Sequence, residues 1–110
     1  MSMATGTSAP YVRVAEIEVD PARLEAYQAA LKEEIEAAVR LEPGVLALQA
    51  VCGKDHPAHV TVFEIYADEA AYQAHLATLH FAKYKAATQD MVRSLKLREV
   101  MPIALGAKVM

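Results

Sequence analysis

Between positions 64 and 84 the chain gathers Glu64, Tyr66, Tyr72, His75, His80, Phe81 and Tyr84, most of its groups able to move a proton or grip an aromatic guest. Imidazole is the one side chain whose ordinary pKa allows it to take and return a proton near neutral pH. His75 and His80 are therefore the candidate bases. Glu64 falls among Val60, Val62 and Tyr66 on alternate positions of a β-branched, apolar run, so a carboxylate projects from an otherwise greasy row. Its structural reading is an ion pair with Arg13 or Arg98 on a neighbouring strand; its functional reading is an acid, or a group that orients a histidine, with a pKa set by burial. Tyr66 and Tyr84 are candidate hydrogen-bond donors, and Tyr72 and Phe81 add aromatic wall.

The histidines are also potential metal ligands. His75 and His80 with Glu64 could supply three, but no HExxH motif or cysteine set accompanies them, and His56-x-x-His59 falls in a turn-rich loop. The expectation is no metal. Gly-rich phosphate loops, GxSxG and the dinucleotide fingerprint are missing too, so nucleotide cofactors have no recognisable seat.

The elements that must position these groups follow from period and punctuation. Tyr11 to Val19 is β-branched and apolar at Val12, Val14, Ile17 and Val19, as a strand requires. Asp20-Pro21 is a helix start, because the carboxylate accepts from unpaired N–H groups and proline has none to leave unpaired. Leu24, Tyr27, Leu31, Ile35 and Ala38 then recur at three- and four-residue steps, with Glu25, Lys32, Glu33, Glu36 and Arg40 turned outward. Glu42-Pro43-Gly44 stops that helix; Pro43 disfavours the helical state of Glu42, and Gly44 can take positive φ. Val45 to Cys52 and His59 to Tyr66 read as antiparallel strands around the loop Gly53 to Ala58.

Asp68 caps the next helical stretch. At 100° per residue Tyr72, Leu76 and Leu79 form one stripe, while Phe81, Tyr84, Thr88, Met91 and Val92 form another about 150° away. One straight helix cannot bury both. The expectation is a break near Thr78, which N-caps a second helix running to about Arg93, and then a last strand over Leu95 to Ile103. The break turns the two histidines toward one cavity, with His80 in the first turn of the new helix.

The order β-α-β-β-α-β is the ferredoxin-like motif of the α+β class, a four-stranded antiparallel sheet with its helices on one face. Residues 1–10 read as a tail, 11–103 as the single domain and 104–110 as a second tail. At 110 residues about two thirds of the unfolded chain's surface can be buried, yet 55% of the residues are apolar. Strands that are apolar on both sides, such as Val45 to Leu48, ask for a cover on the open sheet face, and a second copy supplies one. A net charge of −3, with cations scattered among fourteen acids, leaves no footprint for nucleic acid. No apolar run approaches a membrane span, and the start lacks the basic and apolar regions of a signal peptide, so a cytoplasmic protein is expected. The lone Cys52 reads as a core or rim thiol.

The stretch Phe63-Glu-Ile-Tyr-Ala-Asp-Glu-Ala-Ala-Tyr-Gln-Ala-His-Leu-Ala-Thr-Leu-His-Phe-Ala-Lys-Tyr84 resembles the signature of the antibiotic biosynthesis monooxygenase family, with its Glu-x-Tyr strand end, acidic turn and similarly spaced histidines. Glu42-Pro-Gly44 matches that family's join between first helix and second strand, and Leu79 stands where many relatives have proline. The resemblance spans roughly Tyr11 to Ile103. It implies a dimeric α/β barrel and oxygenation of quinols or polyketide anthrones by O2 without metal, flavin or haem. Haem-degrading relatives use a pocket tryptophan, and this chain has none. The alternatives are a proton-transfer or isomerase branch acting on a small phosphorylated ketone, which needs cations such as Arg13, Lys83 and Arg98 to converge at the pocket mouth, and a ligand-binding dimer without catalysis.

Overall fold

A computed structural model describes residues 9–108. Strand β1 (Tyr11–Val19) leads through a 3-10 turn (Pro21–Arg23) into helix α1 (Leu24–Leu41); β2 (Val45–Cys52) and β3 (His59–Tyr66) form a hairpin; α2 (Glu69–Leu76) and α3 (Leu79–Thr88) precede β4 (Val92–Val100). The four strands form one antiparallel sheet in the order β2-β3-β1-β4. This is the expected α+β, ferredoxin-like architecture. Apart from Ala9 and Pro10, the expected N-terminal tail lies outside the described residues, and after Val100 the chain runs without helix or strand to residue 108.

The core lies between the sheet and the helices. Ala15, Ile17 and Val19 from β1 and Val60 and Val62 from β3 meet Tyr27 and Leu31 of α1, all of them buried. A second cluster joins Val45, Leu48 and Tyr66 to Ala38. Strict alternation would send Val45 and Leu48 to opposite faces, but Val45 pairs with Tyr66 while Ala47 pairs with Ile65. Leu46 is thus the extra residue of a β-bulge, which lets both Val45 and Leu48 point inward and leaves Leu46 itself exposed.

Local signals act as their chemistry dictates. Asp20 accepts from the Ala22 N–H at 3.0 Å, so the first turn tightens to 3-10 before the α-helix begins at Leu24. Asp68 accepts from the Ala71 N–H at 2.8 Å. The break falls at Thr78, whose hydroxyl accepts from the Phe81 N–H and donates to the His75 carbonyl, closing one helix and opening the next with a single side chain.

Three expectations need correction. Helix α3 ends at Thr88 and not near Arg93, and the last strand is Val92–Val100, not Leu95 to Ile103. Arg93 is the extra residue of a second irregularity, where Glu18 pairs with Ser94 and Val19 with Val92, and its guanidinium donates to Asp20 at 3.2 Å. Gly44 is needed for closeness and not for positive φ: a Cβ there would lie 2.5 Å from the Ala71 Cβ, so only glycine lets α2 approach the start of β2. Nor is Tyr72–Leu76–Leu79 a buried stripe, since Leu79 is largely exposed and the residue α2 buries is His75.

Candidate active site

Between sheet and helices lies a cavity of about 400 Å³, walled by Ala15, Ile17, Leu31, Val62, Phe81 and other apolar side chains. Glu64, Tyr66, Tyr72, His75 and Tyr84 line it as well. Six of the seven candidate residues thus face one hollow. His80, the seventh, sits in the first turn of α3 beside His75, with ring centroids 6.2 Å apart. Toward the other end the wall passes Tyr84 and Thr88 to Leu95 and Leu97 of the edge strand, both about half exposed, and this marks the mouth.

The group that orients the imidazoles is not Glu64. His75 donates from Nδ1 to Glu42 Oε2 at 2.9 Å, and His80 donates from Nε2 to the same oxygen at 2.5 Å. Glu42 is the C-cap residue of α1, and one carboxylate oxygen gathers two imidazoles carried by two further helices. A ring that gives its Nδ1 proton to a carboxylate keeps Nε2 free for other work. The Nε2 of His75 lies 3.9 Å from Glu34 Oε2, and that of His80 lies 3.8 Å from Glu34 Oε1. Glu34 also lines the cavity; it is 6% exposed, and its Oε1 has no hydrogen-bond partner among the described residues.

Glu64 accepts instead from the Tyr66 hydroxyl at 2.8 Å. It stands opposite Arg13 in the β1–β3 register without a direct ion pair, because the Arg13 guanidinium lies 4.7 Å above the Tyr72 ring and bonds to the Tyr11 hydroxyl. Burial pushes the Glu64 and Glu34 carboxyls above the ordinary glutamate value, since little water reaches either to solvate the charge. Burial also raises Tyr66 and Tyr84, which keeps their hydroxyls protonated as donors.

Tyr84 has a partner that the candidate set lacked. Its hydroxyl lies 2.6 Å from that of Tyr27, which is wholly buried. A phenol sealed in the core must give its proton to the acceptor at hand. Tyr27 therefore donates to Tyr84, and the Tyr84 proton is left for whatever occupies the cavity.

Glu34, Glu42 and Tyr27 are the residues missed by sequence reasoning. For two of them a signal existed: Tyr27, Leu31, Glu34 and Ala38 are the buried positions of α1 and keep helical spacing, so Glu34 is a carboxylate on the core stripe. Glu42 was visible only as part of a helix stop.

The remaining candidates lie elsewhere. His59 bonds to Glu16 and Glu18, and His56 to Glu18, on the sheet face away from the helices. Arg13, Lys83 and Arg98 do not converge. Lys83 pairs with Glu33 on the exterior at 2.7 Å, and Arg98 stands opposite Val14, on the face of β1 that Arg13 does not share. Cys52 is exposed at the rim.

A family model described as antibiotic biosynthesis monooxygenase matches residues 10–87. The chain belongs to the antibiotic biosynthesis monooxygenase family. Among solved structures it is similar to a "putative antibiotic biosynthesis monooxygenase" from Bacteriodes thetaiotaomicron VPI-5482, at 56% identity and a TM-score of 0.87, over 92% of this chain and 96% of that one. A "putative monooxygenase" from Lactobacillus acidophilus NCFM matches at 28% identity and a TM-score of 0.82, over 86% of this chain but 47% of that one. A "putative antibiotic biosynthesis monooxygenase" from Nitrosomonas europaea, at 22% identity, TM-score 0.82, 87% of this chain and 92% of that one, shares the fold. None of the curated proteins matches. Family and neighbours support a monooxygenase-like function. Among the described residues, no helix is long and apolar enough to cross a membrane.

The raised carboxyl of Glu64 has a consequence for stability. Protonated, it favours the folded state fully below the ordinary glutamate value of 4.5, and that contribution is lost as pH rises through its higher folded-state value. Glu64→Gln, which keeps an acceptor for Tyr66, is expected to melt at a higher temperature than the native chain at pH 8. Thermal melts across pH should show the gap closing below about pH 4.5, and an equal gap at acid pH would contradict the assignment.

Proposed function

We propose that this protein is a monooxygenase that oxidises a quinol-like or polyketide-like aromatic with O2, the substrate supplying its own electrons. The observation that carries the reading is the free Nε2 of His75 at a largely apolar cavity, with its Nδ1 proton held by Glu42. Taking a proton from a phenol with an ordinary pKa near 10 by an imidazole with one near 6.5 is uphill by roughly 5 kcal/mol, so donors must stabilise the anion. The Tyr27–Tyr84 relay offers one such donor, and the protonated form of Glu64 offers another.

In this mechanism His75 removes a proton from an activated C–H or O–H. The electron-rich anion passes one electron to O2, and the two radicals recombine with a new C–O bond to a hydroperoxide. The base then takes the remaining hydrogen on that carbon, the O–O bond breaks, and the carbon leaves as a ketone or quinone while the distal oxygen leaves as water. One oxygen atom enters the product, and the four electrons come from the substrate carbon. Phe81 and Tyr72 hold the aromatic faces; His80 shares the Glu42 oxygen and keeps His75 in place.

The proton-transfer reading on a phosphorylated ketone finds less support, because the three cations it needs face different directions. The sheet face away from the helices carries Val14, Phe63 and Ile65 partly exposed and Val51 largely exposed, an apolar surface suited to a second copy of the chain. A homodimer in the cytoplasm, with neither membrane nor nucleic acid as partner, completes the proposal.

Oxygen uptake with a panel of hydroquinones and anthrones tests the chemistry. Turnover is expected with the native protein and to fall about 100-fold or more in His75→Gln, the range typical of a lost general base. Uptake unchanged in that variant would remove His75 from the mechanism, and isomerisation of enolisable sugar phosphates without uptake would replace the reading. Sedimentation should find twice the chain mass, reduced to a single chain by Phe63→Asp; a monomeric native protein would contradict the dimer.

A further inference from the structure

We infer that Glu34, His75 and His80 form a binding site for one divalent transition-metal ion of the zinc, cobalt or iron(II) class. One ligand atom from each of the three residues lies within 4.8 Å of the other two. Ligands about 2.1 Å from a tetrahedral ion are about 3.4 Å apart. The contacts of 3.9 and 3.8 Å between the Nε2 atoms and the Glu34 carboxylate therefore need to close by only about half an ångström.

A second observation points to a ligand independently. Glu34 Oε1 is buried with no hydrogen-bond partner among the described residues, and it is the atom nearest His80. A buried acceptor left unpaired is costly, and native proteins rarely leave one without a reason. The charge balance agrees. Glu34, Glu42 and Glu64 crowd two imidazoles at one end of the cavity, with the Arg13 guanidinium turned to Tyr72. A divalent ion would neutralise that excess where water cannot.

The surroundings are those of a metal centre. Glu42 accepts the Nδ1 proton of His75, the carboxylate–histidine arrangement that fixes a ligating imidazole with Nε2 toward the ion. On ligation His80 Nε2 exchanges its hydrogen bond to Glu42 for the metal, while Glu42 keeps the hydrogen bond from His75. Two imidazoles and carboxylate oxygens suit first-row ions of intermediate softness better than calcium or magnesium. The ion and the proposed base compete for the same His75 nitrogen. Metal binding and the oxygen chemistry thus exclude one another at His75, and binding is measured without substrate.

The test uses the full chain freed of metal with a chelator and titrated with Co2+ and Zn2+. Visible absorption of bound cobalt and calorimetry with zinc should both report one ion per chain. Affinity should fall at least 10-fold in Glu34→Gln and in His80→Gln, and by 10- to 100-fold in Glu42→Gln. Circular dichroism and thermal melts check that each variant is folded. His59→Gln removes the other histidine–carboxylate cluster, on the far sheet face, and should leave binding intact. No binding, binding unchanged in folded Glu34→Gln and His80→Gln, or binding lost in His59→Gln would each overturn the proposal.

Discussion

One oxygen atom of Glu42 ties three helices together. It is carried by the C-cap of α1, takes a hydrogen bond from His75 near the end of α2, and takes another from His80 in the first turn of α3. Hydrogen bonds to an ionised group are worth about 1.5–3 kcal/mol each, and more is lost when a buried partner is stranded. The joint is therefore a large share of the stability a small domain can have. It also dictates chemistry, because the nitrogens it occupies determine which remain for a guest. The helix break at Thr78 and the close approach of Ala71 to Gly44 both serve this joint, for without them His75 and His80 could not reach one carboxylate.

Function sets the site against the fold. Glu34 and Glu64 sit where an apolar side chain would pack better, and burial raises the pKa of both. A protein selected only for stability would fill the space between Ile17, Leu31 and Val62; here it stays open as a cavity of about 400 Å³. Carboxylates, imidazoles and tyrosines gathered at a hollow make an environment in which proton affinities diverge, which is the condition for acid and base work in one place.

Much of this was legible in the chain. The 2.0 and 3.6 periods, Asp20-Pro21, Asp68 and the capping hydroxyl of Thr78 define the order of elements, and the alternation through Val60, Val62, Glu64 and Tyr66 correctly turns Glu64 toward the helices. The limits of α3 and β4 were not legible, because Met91 and Val92 continue an apolar helical phase that the sheet claims by pairing Val92 with Val19. The partner of the histidines was also hidden. Glu42 and Glu34 are 33 and 41 residues upstream of His75, and no local pattern announces a contact made only when α1 folds across the sheet. Glu64, nearest in sequence, was the natural candidate, but its place on the strand brings it to Tyr66.

The most direct measurement is a crystal structure of the protein with a hydroquinone bound under anaerobic conditions. The guest should lie between the sheet and α1, one hydroxyl within hydrogen-bond distance of His75 Nε2 and another polar group at the Tyr84 hydroxyl, with both imidazoles still on Glu42. A guest bound outside that cavity, or imidazoles swung away from Glu42 into solvent, would contradict the account.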